Sequence, residues 1–116
     1  MSLKHQNSDL FCFRKILVPQ FSKKNVNIIK GNSNKVLKEI SIDKFDYVFL
    51  DGGHKYETVL NDLKNLRDIV VNKGVILCDD YDLTYAPGVK RAIDEFVLKK
   101  NLNLKILHSR FAEITK

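Results

Sequence analysis

Two apolar segments of the chain each run directly into acidic residues, and this repeat constrains the fold more than any other feature. Residues 46–50 are followed by Asp51, and residues 74–78 are followed by Asp79 and Asp80. Between the segments, apolar residues at helical spacing predict one amphipathic helix. Two strands joined by a crossover helix are parallel, so their carboxyl ends meet at the edge where open α/β sheets bind ligands. The three carboxylates are therefore expected to converge.

The rest of the chain continues this alternation of helices and strands. The patterns predict a first helix in the run DLFCFRKILV, which begins at Asp9 and ends before Pro19, and then a strand at residues 25–31. A helix with Ser33 as N-cap follows, and after it come the strand, helix and strand of residues 46–78. The last predicted elements are a helix that starts at Pro87 and a hairpin of residues 102–107 and 111–115. The helix before the second acidic strand is expected to stop at Asn72, Lys73 and Gly74. This order predicts an α/β fold with a mostly parallel sheet, helices on both faces and a C-terminal antiparallel hairpin.

Composition limits the chain to a single globular domain. With 116 residues it forms one domain at most, in which residues 1–8 are expected to be disordered or tag-like. No apolar run approaches the roughly 18 residues of a membrane span, and the N-terminus lacks an apolar signal segment. The net charge of +6 comes from short lysine pairs rather than a basic stripe, so nucleic acid is not an expected partner. Cys12 and Cys78 lack metal-binding spacing, which predicts buried structural roles in a reducing cytoplasm.

The acids and the histidine that follow the two apolar strands are the candidate functional residues. Asp51, Asp79 and Asp80 would present converging oxygen ligands, as a hard cation such as Mg²⁺ or Ca²⁺ requires. His54 lies three residues after Asp51, where it could accept a proton from a substrate hydroxyl. A simpler interpretation remains open, in which the carboxylates end strands in solvent or cap the next helix and His54 is a surface residue.

Three further residues at the same edge favour a bound small molecule. Gly52 and Gly53 permit positive φ and close approach of the backbone to a ligand, although a tight turn uses the same residues. Asn32 follows the predicted strand at 25–31 and could hydrogen bond to a base or ribose. A metal-dependent hydrolase or glycosyl-transfer fold could use the same clustered acids, but the sequence carries no phosphate or nucleotide cradle.

A resemblance to a known family rests on three strings, FDYVFLDGGHKYETVLNDL, GVILCDDYD and GVKRAIDEF. They resemble the class I S-adenosylmethionine-dependent methyltransferases, whose fold is a three-layer Rossmann-like sheet, and in particular the small O-methyltransferase group with a D-G-x-H motif after the fourth strand. The resemblance implies that Asp51, Asp79 and Asp80 hold Mg²⁺, which binds the hydroxyl oxygens of a small acceptor. It also implies His54 as general base, and Asn32, Asp51 and Gly52 as contacts of S-adenosylmethionine.

The chain departs from this family on its amino-terminal side. No G-x-G occurs in the sequence, so the glycine-rich loop that cradles the cofactor has no match. On the family strand order, 3-2-1-4-5-7-6, the chain would lack the first two strands. We therefore expect weak or absent S-adenosylmethionine binding by this chain, and a rearranged sheet or a homo-oligomer formed through exposed edges. The alternative is a catalytically inactive, methyltransferase-like module for interaction or dimerisation.

Overall fold

The computed structural model describes residues 3–4, 8–13, 32–39 and 45–116. Its elements in chain order are β1 (Leu3–Lys4), β2 (Ser8–Phe13), α1 (Ser33–Glu39), β3 (Phe45–Gly52), α2 (Tyr56–Ile69), β4 (Val70–Cys78), α3 (Gly88–Lys100), β5 (Asn103–Leu107) and β6 (Phe111–Thr115). The strands described form one six-stranded sheet in the order β1-β2-β3-β4-β6-β5. No described helix has the length and apolar content needed to cross a membrane.

The unit β3-α2-β4 forms the centre of the molecule, as the repeated pattern predicts. β3 and β4 are parallel, with Val48 opposite Ile76 and Leu50 opposite Cys78. These four side chains are buried in one hydrophobic cluster with residues of α2 and α3. The burial of apolar side chains is the main term that stabilises such a unit. Because both strands run in the same direction, Asp51 and Asp79 leave the sheet at the same edge.

The three described helices pack in a row, with α2 in contact with both α1 and α3. Along β3 the burial alternates, since Val48 and Leu50 are buried whereas Tyr47 is 37% exposed and Phe49 is half-buried. Within the described residues, the expectation of helices covering both faces is therefore not met. An apolar run indicates a strand but does not by itself show that both faces are covered.

The predicted helix that begins at Asp9 is wrong over residues 8–13, which form β2. β2 pairs antiparallel with β3, with Leu10 opposite Leu50. The run is too short for its periodicity to distinguish helix from strand, and its aromatic residues favour a strand. Of the strand pairings in the described ranges, β3 with β4 is the parallel one and the others are antiparallel. The sheet is therefore mixed, rather than mostly parallel as predicted.

The predicted stop of α2 at residues 72–74 is also corrected. α2 ends at Ile69, and residues 72–74 lie inside β4, where the register with β3 shifts. Lys73 has a φ of 67°, an irregular conformation for a strand. A Cβ on Gly74 would lie 2.4 Å from Val70 Cγ1 and 2.7 Å from the Val71 carbonyl oxygen. Glycine is therefore required by close packing within a strand, rather than as a helix stop.

The carboxyl-terminal part agrees with the prediction. α3 begins directly after Pro87, and the hairpin of β5 and β6 has the predicted position. The order β3-β4-β6-β5 corresponds to the 4-5-7-6 part of the family strand order.

The predicted strand at residues 25–31 lies outside the described residues. Within residues 1–8, the structure describes Leu3–Lys4 and Ser8, which are all in strands.

Candidate functional site

Three carboxylates meet at the carboxyl edge of the sheet, and we call Asp51, Asp79 and Asp80 the acidic cluster. One oxygen atom of each residue lies within 4.8 Å of the others. The Asp79 N–H donates to the Leu50 carbonyl oxygen at 3.0 Å, which ties the end of β4 to the end of β3. Asp80 then turns the chain away with a φ of 65°, a conformation that aspartate tolerates better than most residues. Parallel strand ends and one left-handed residue thus position the cluster.

His54 lies in the bend between β3 and α2, and its side chain reaches the acidic cluster. His54 Nε2 is 3.0 Å from Asp80 Oδ2, and the imidazole packs edge-on against the ring of Tyr85. The backbone that carries His54 is held close to α3. A Cβ on Gly88 would lie 2.8 Å from the Tyr56 nitrogen and 3.2 Å from the His54 carbonyl oxygen. The first turn of α3 therefore packs directly against the backbone that carries His54 and holds it in position.

Arg110, in the turn between β5 and β6, is a member of the site that the sequence patterns did not indicate. Its Nε donates to Asp79 Oδ1 at 2.7 Å and its Nη2 donates to Asp79 Oδ2 at 3.0 Å. Burial by itself would raise the pKa of Asp79, but the bonds from Arg110 and from the Asp80 N–H outweigh it, so the pKa lies below its ordinary value. The two bonds between Arg110 and Asp79 also raise the pKa of Arg110.

Strand register explains how a turn residue enters the site. β6 is antiparallel to β4, and Ala112 lies opposite Cys78. Continuing this register places Arg110 level with Asp80, beside the acidic cluster. The family strand order puts the last strand next to the fifth, so that order contained a usable signal for Arg110. The residue type alone did not indicate that Arg110 belongs to the site, since arginine in a hairpin turn is usually solvated.

A cleft extends from the acidic cluster into the space between the sheet and the helices. Its lining residues are Leu50, Gly52, Gly53, His54, Val59, Asp62, Cys78, Asp79, Asp80 and Val89. Of the residues proposed from the sequence, Gly52, Gly53, His54, Asp79 and Asp80 line this cleft. Asn32 lies at the start of α1, where its carbonyl oxygen accepts the N–H groups of Lys35 and Val36.

Asp62 is a fully buried acid on α2 that the sequence interpretation missed. Its Oδ1 accepts a 2.7 Å hydrogen bond from the Ser33 hydroxyl, and its Oδ2 has no partner among the described residues. Burial raises the pKa of Asp62 to about 6, and the Ser33 bond lowers it only in part. The bond joins the start of α1, next to Asn32, to the helix that lines the cleft. Asp62 falls among the apolar positions of α2, which was the signal for its burial.

Cys78 also lines the cleft, and its environment makes it inert. The thiol is 2% exposed, and burial, followed by the charge of Asp62, raises its pKa to about 12. The thiolate is the nucleophilic form of cysteine, so a thiol held neutral in this way is unreactive. The predicted structural role of Cys78 is confirmed by its burial. Among the described residues that line this cleft, the cysteine is therefore a structural residue rather than a nucleophile.

The acidic cluster fits a divalent cation in ligand type and in spacing. Carboxylate oxygens are the ligands that hard cations prefer, and ligands on opposite sides of Ca²⁺ are about 5 Å apart. The cluster oxygens lie within 4.8 Å of one another, which is below this limit. Arg110 already donates hydrogen bonds to both oxygens of Asp79, so a metal ion at this cluster would share the Asp79 carboxylate with the Arg110 guanidinium.

These features together define a class I S-adenosylmethionine-dependent O-methyltransferase-like fold, with the acidic cluster at its ligand-binding edge. The family model described as "Methyltransferase domain" matches residues 3–81, which is more than half of the chain. The chain therefore belongs to the methyltransferase domain family.

Two solved structures and one curated protein are similar to the chain. The structure of the O-methyltransferase NovP has a TM-score of 0.67 and 26% sequence identity, and the match covers 79% of this chain and 38% of NovP. The apo structure of CalS11, a TDP-rhamnose 3'-O-methyltransferase of calicheamicin biosynthesis, has a TM-score of 0.56 and 18% identity, covering 75% of this chain and 39% of CalS11. At that identity the likeness concerns the fold alone.

The curated relative is "Uncharacterized protein R132" of Acanthamoeba polyphaga mimivirus, which is 44% identical over 54 residues. That match covers 45% of this chain and 24% of the relative. The matched parts of the chain thus cover about a quarter of the length of this relative and less than two fifths of NovP and of CalS11.

Proposed function

We propose that the chain carries the metal-binding half of an S-adenosylmethionine-dependent O-methyltransferase site, acting on a small hydroxylated acceptor. The observation that carries this proposal is the acidic cluster beside His54 at the carboxyl edge of a methyltransferase fold. NovP, which is 26% identical to this chain, is an O-methyltransferase, and this supports a hydroxyl oxygen as the atom methylated here.

In this proposal, Asp51, Asp79 and Asp80 hold a divalent cation, with Mg²⁺ as the expected ion. A bound cation would lower the pKa of an acceptor hydroxyl and orient its oxygen for attack on the sulfonium methyl of S-adenosylmethionine, whose sulfur would leave as a thioether. His54 takes up the hydroxyl proton. When Nε2 carries the hydrogen shared with Asp80, Nδ1 is left to accept that proton, and Asp80 orients the ring as carboxylates do in catalytic pairs.

The cofactor contacts in this proposal are Asn32, Asp51 and Gly52. Gly52 lines the cleft, and the Ser33–Asp62 bond fixes the backbone next to Asn32 relative to α2. We further propose that the chain is a partial domain without the first two strands of the family order, so that S-adenosylmethionine binds weakly or not at all. On this proposal the chain is cytoplasmic and forms a homo-oligomer through sheet edges.

The test of the metal site is a titration with Mn²⁺ followed by isothermal calorimetry. Asp51→Asn and Asp79→Asn should each weaken Mn²⁺ binding by at least about 100-fold, because each removes a charged ligand. Asp46→Asn is the matched control, since Asp46 is an exposed acid on the same β3 but away from the cluster. Unchanged affinity in the two cluster variants would reject these residues as ligands.

A titration with S-adenosylmethionine separates an enzyme from an inactive module. Heat from cofactor binding that Gly52→Val abolishes would support a cofactor site at this edge. No heat at millimolar cofactor, together with no binding of Mn²⁺ and a stable dimer in sedimentation, would favour the interaction module instead. A concentration-independent monomer would reject the proposed homo-oligomer.

A further inference from the structure

Arg110 occupies the carboxylate that the proposed metal site requires. Two guanidinium nitrogens and the Asp80 N–H donate to the two oxygens of Asp79, at 2.7, 3.0 and 2.7 Å. A carboxylate offers about four acceptor positions, so little capacity remains on Asp79 for another ligand. A cation on the same carboxylate would also lie beside the guanidinium, and like charges at that range repel.

The Arg110 side chain can move away from Asp79 without disturbing the fold. It is 55% exposed, whereas the Asp79 side chain is 8% exposed. The Arg110 backbone is held separately, because its carbonyl oxygen accepts the Tyr81 N–H at 2.9 Å and its own N–H donates to the Leu107 carbonyl at 3.2 Å. The charges of Asp80 and Asp82 also act on the guanidinium and contribute to the raised pKa of Arg110.

We propose that Arg110 competes with the divalent cation for Asp79 and thereby sets the affinity of the site for metal. Metal binding releases the Arg110 side chain from the acidic cluster, while the turn between β5 and β6 keeps its backbone position. This inference rests on the proposed metal-assisted function. It differs from a purely structural role of the ion pair, in which removal of Arg110 would lower stability without strengthening the binding of metal.

The first experiment measures the affinity of the full chain for Mn²⁺ alone. Arg110→Ala should bind Mn²⁺ about tenfold more tightly than the unchanged chain, since a charge-assisted, two-bond competitor has been removed. Arg110→Lys keeps the charge without the fork geometry and should lie between the two. Arg91→Ala is the matched control, because Arg91 pairs with Glu95 on the exposed face of α3, and its affinity should not change.

The outcomes distinguish this inference from the proposed function. If the unchanged chain binds Mn²⁺ and Arg110→Ala binds it equally or more weakly, the competition is wrong and the metal site stands. If neither chain binds Mn²⁺, the metal site itself is wrong, and the inference falls with it.

A second readout does not depend on a variant that folds. In the unchanged chain, the Nε–H signal of Arg110 in a ¹H–¹⁵N spectrum reports its bond to Asp79. Saturation with Mg²⁺, followed through the backbone amide of Asp80, should move this signal to the position of a solvated guanidinium. An Arg110 signal that stays in place while the Asp80 amide titrates would overturn the proposal.

Discussion

Asp62 and Asp79 are the two buried carboxylic acids of the described residues, and both line the same cleft. Their pKa values nevertheless move in opposite directions. Burial raises the pKa of Asp62 to about 6, whereas the pKa of Asp79 lies below its ordinary value. Asp62 receives one bond from a neutral hydroxyl, and Asp79 receives the fork of Arg110 and a backbone N–H. Asp62 is the more deeply buried acid and has the weaker donor, whereas the charged and backbone donors of Asp79 outweigh the cost of its burial.

The two acids should therefore affect stability with opposite sign. The folded-state pKa of Asp62 is raised, so the folded chain retains this proton more strongly than the unfolded chain, and stability falls as the pH rises from about 4 to above 6. The folded-state pKa of Asp79 is lowered, so its contribution is present above the ordinary carboxyl pKa and is lost as the pH falls through the folded value.

Asp62→Asn should stabilise the protein at pH 7.5, because the amide resembles the protonated acid and keeps an acceptor for Ser33. A pKa raised from 3.8 to about 6 corresponds to about 3 kcal/mol of lost stability at neutral pH. Urea unfolding of both chains should give this difference at pH 7.5 and almost none at pH 4. A variant that is less stable at pH 7.5 would show that Asp62 has a charged partner.

Ser33→Ala should destabilise the protein by about 2 kcal/mol at pH 7.5, since it leaves a buried carboxylate without its hydroxyl donor. The cost should be smaller when Asp62→Asn is already present, and a double-mutant cycle by urea unfolding measures the difference. Equal cost in both backgrounds would mean that Ser33 acts through its packing and not through Asp62.

Asp79→Asn should destabilise the protein by about 1 kcal/mol at pH 7.5, because Arg110 loses a charged acceptor. This sign is opposite to that of Asp62→Asn, although both substitutions neutralise one buried acid. The difference from the unchanged chain should shrink as the pH falls through the lowered folded-state pKa of Asp79 and the carboxylate takes up a proton. A stabilised variant at pH 7.5 would break the comparison between the two acids.

Arg91→Ala should lower the melting temperature by about 2 °C or less, since the Arg91–Glu95 pair is exposed and spaced i,i+4. Arg110→Ala should lower it more, because its partner is buried. Thermal melts at low and high salt compare the two arginines. Similar shifts for both would show that the geometry of the Arg110 fork adds nothing in solution.

The central β3-α2-β4 unit was predictable because its apolar runs and its helical spacing are long and agree with each other. The convergence of Asp51, Asp79 and Asp80 followed from that unit, since parallel strands must end at one edge. The amino-terminal strand β2 was not predictable, because six residues are too few to reveal a period and the pairing with β3 is a long-range contact. The residues 25–31 remain a predicted strand outside the described part.

The electrostatics of the site were harder to predict than its position. Arg110 enters through the register of β6 on β4, which no local pattern encodes. Asp62 stands among the apolar positions of α2, and a polar residue there is as easily interpreted as an interruption of the stripe. Both residues act through partners more than 25 positions away in the chain. Local composition therefore located the acids, whereas their charge states depend on tertiary contacts.

The most direct test of the account is a crystal of the full chain soaked in Mn²⁺ and measured for anomalous scattering. We expect one manganese peak bonded to Asp51, Asp79 and Asp80, with the Arg110 guanidinium moved away from Asp79. A crystal without a peak at the cluster, or with manganese bound elsewhere and the Arg110–Asp79 pair intact, would contradict it.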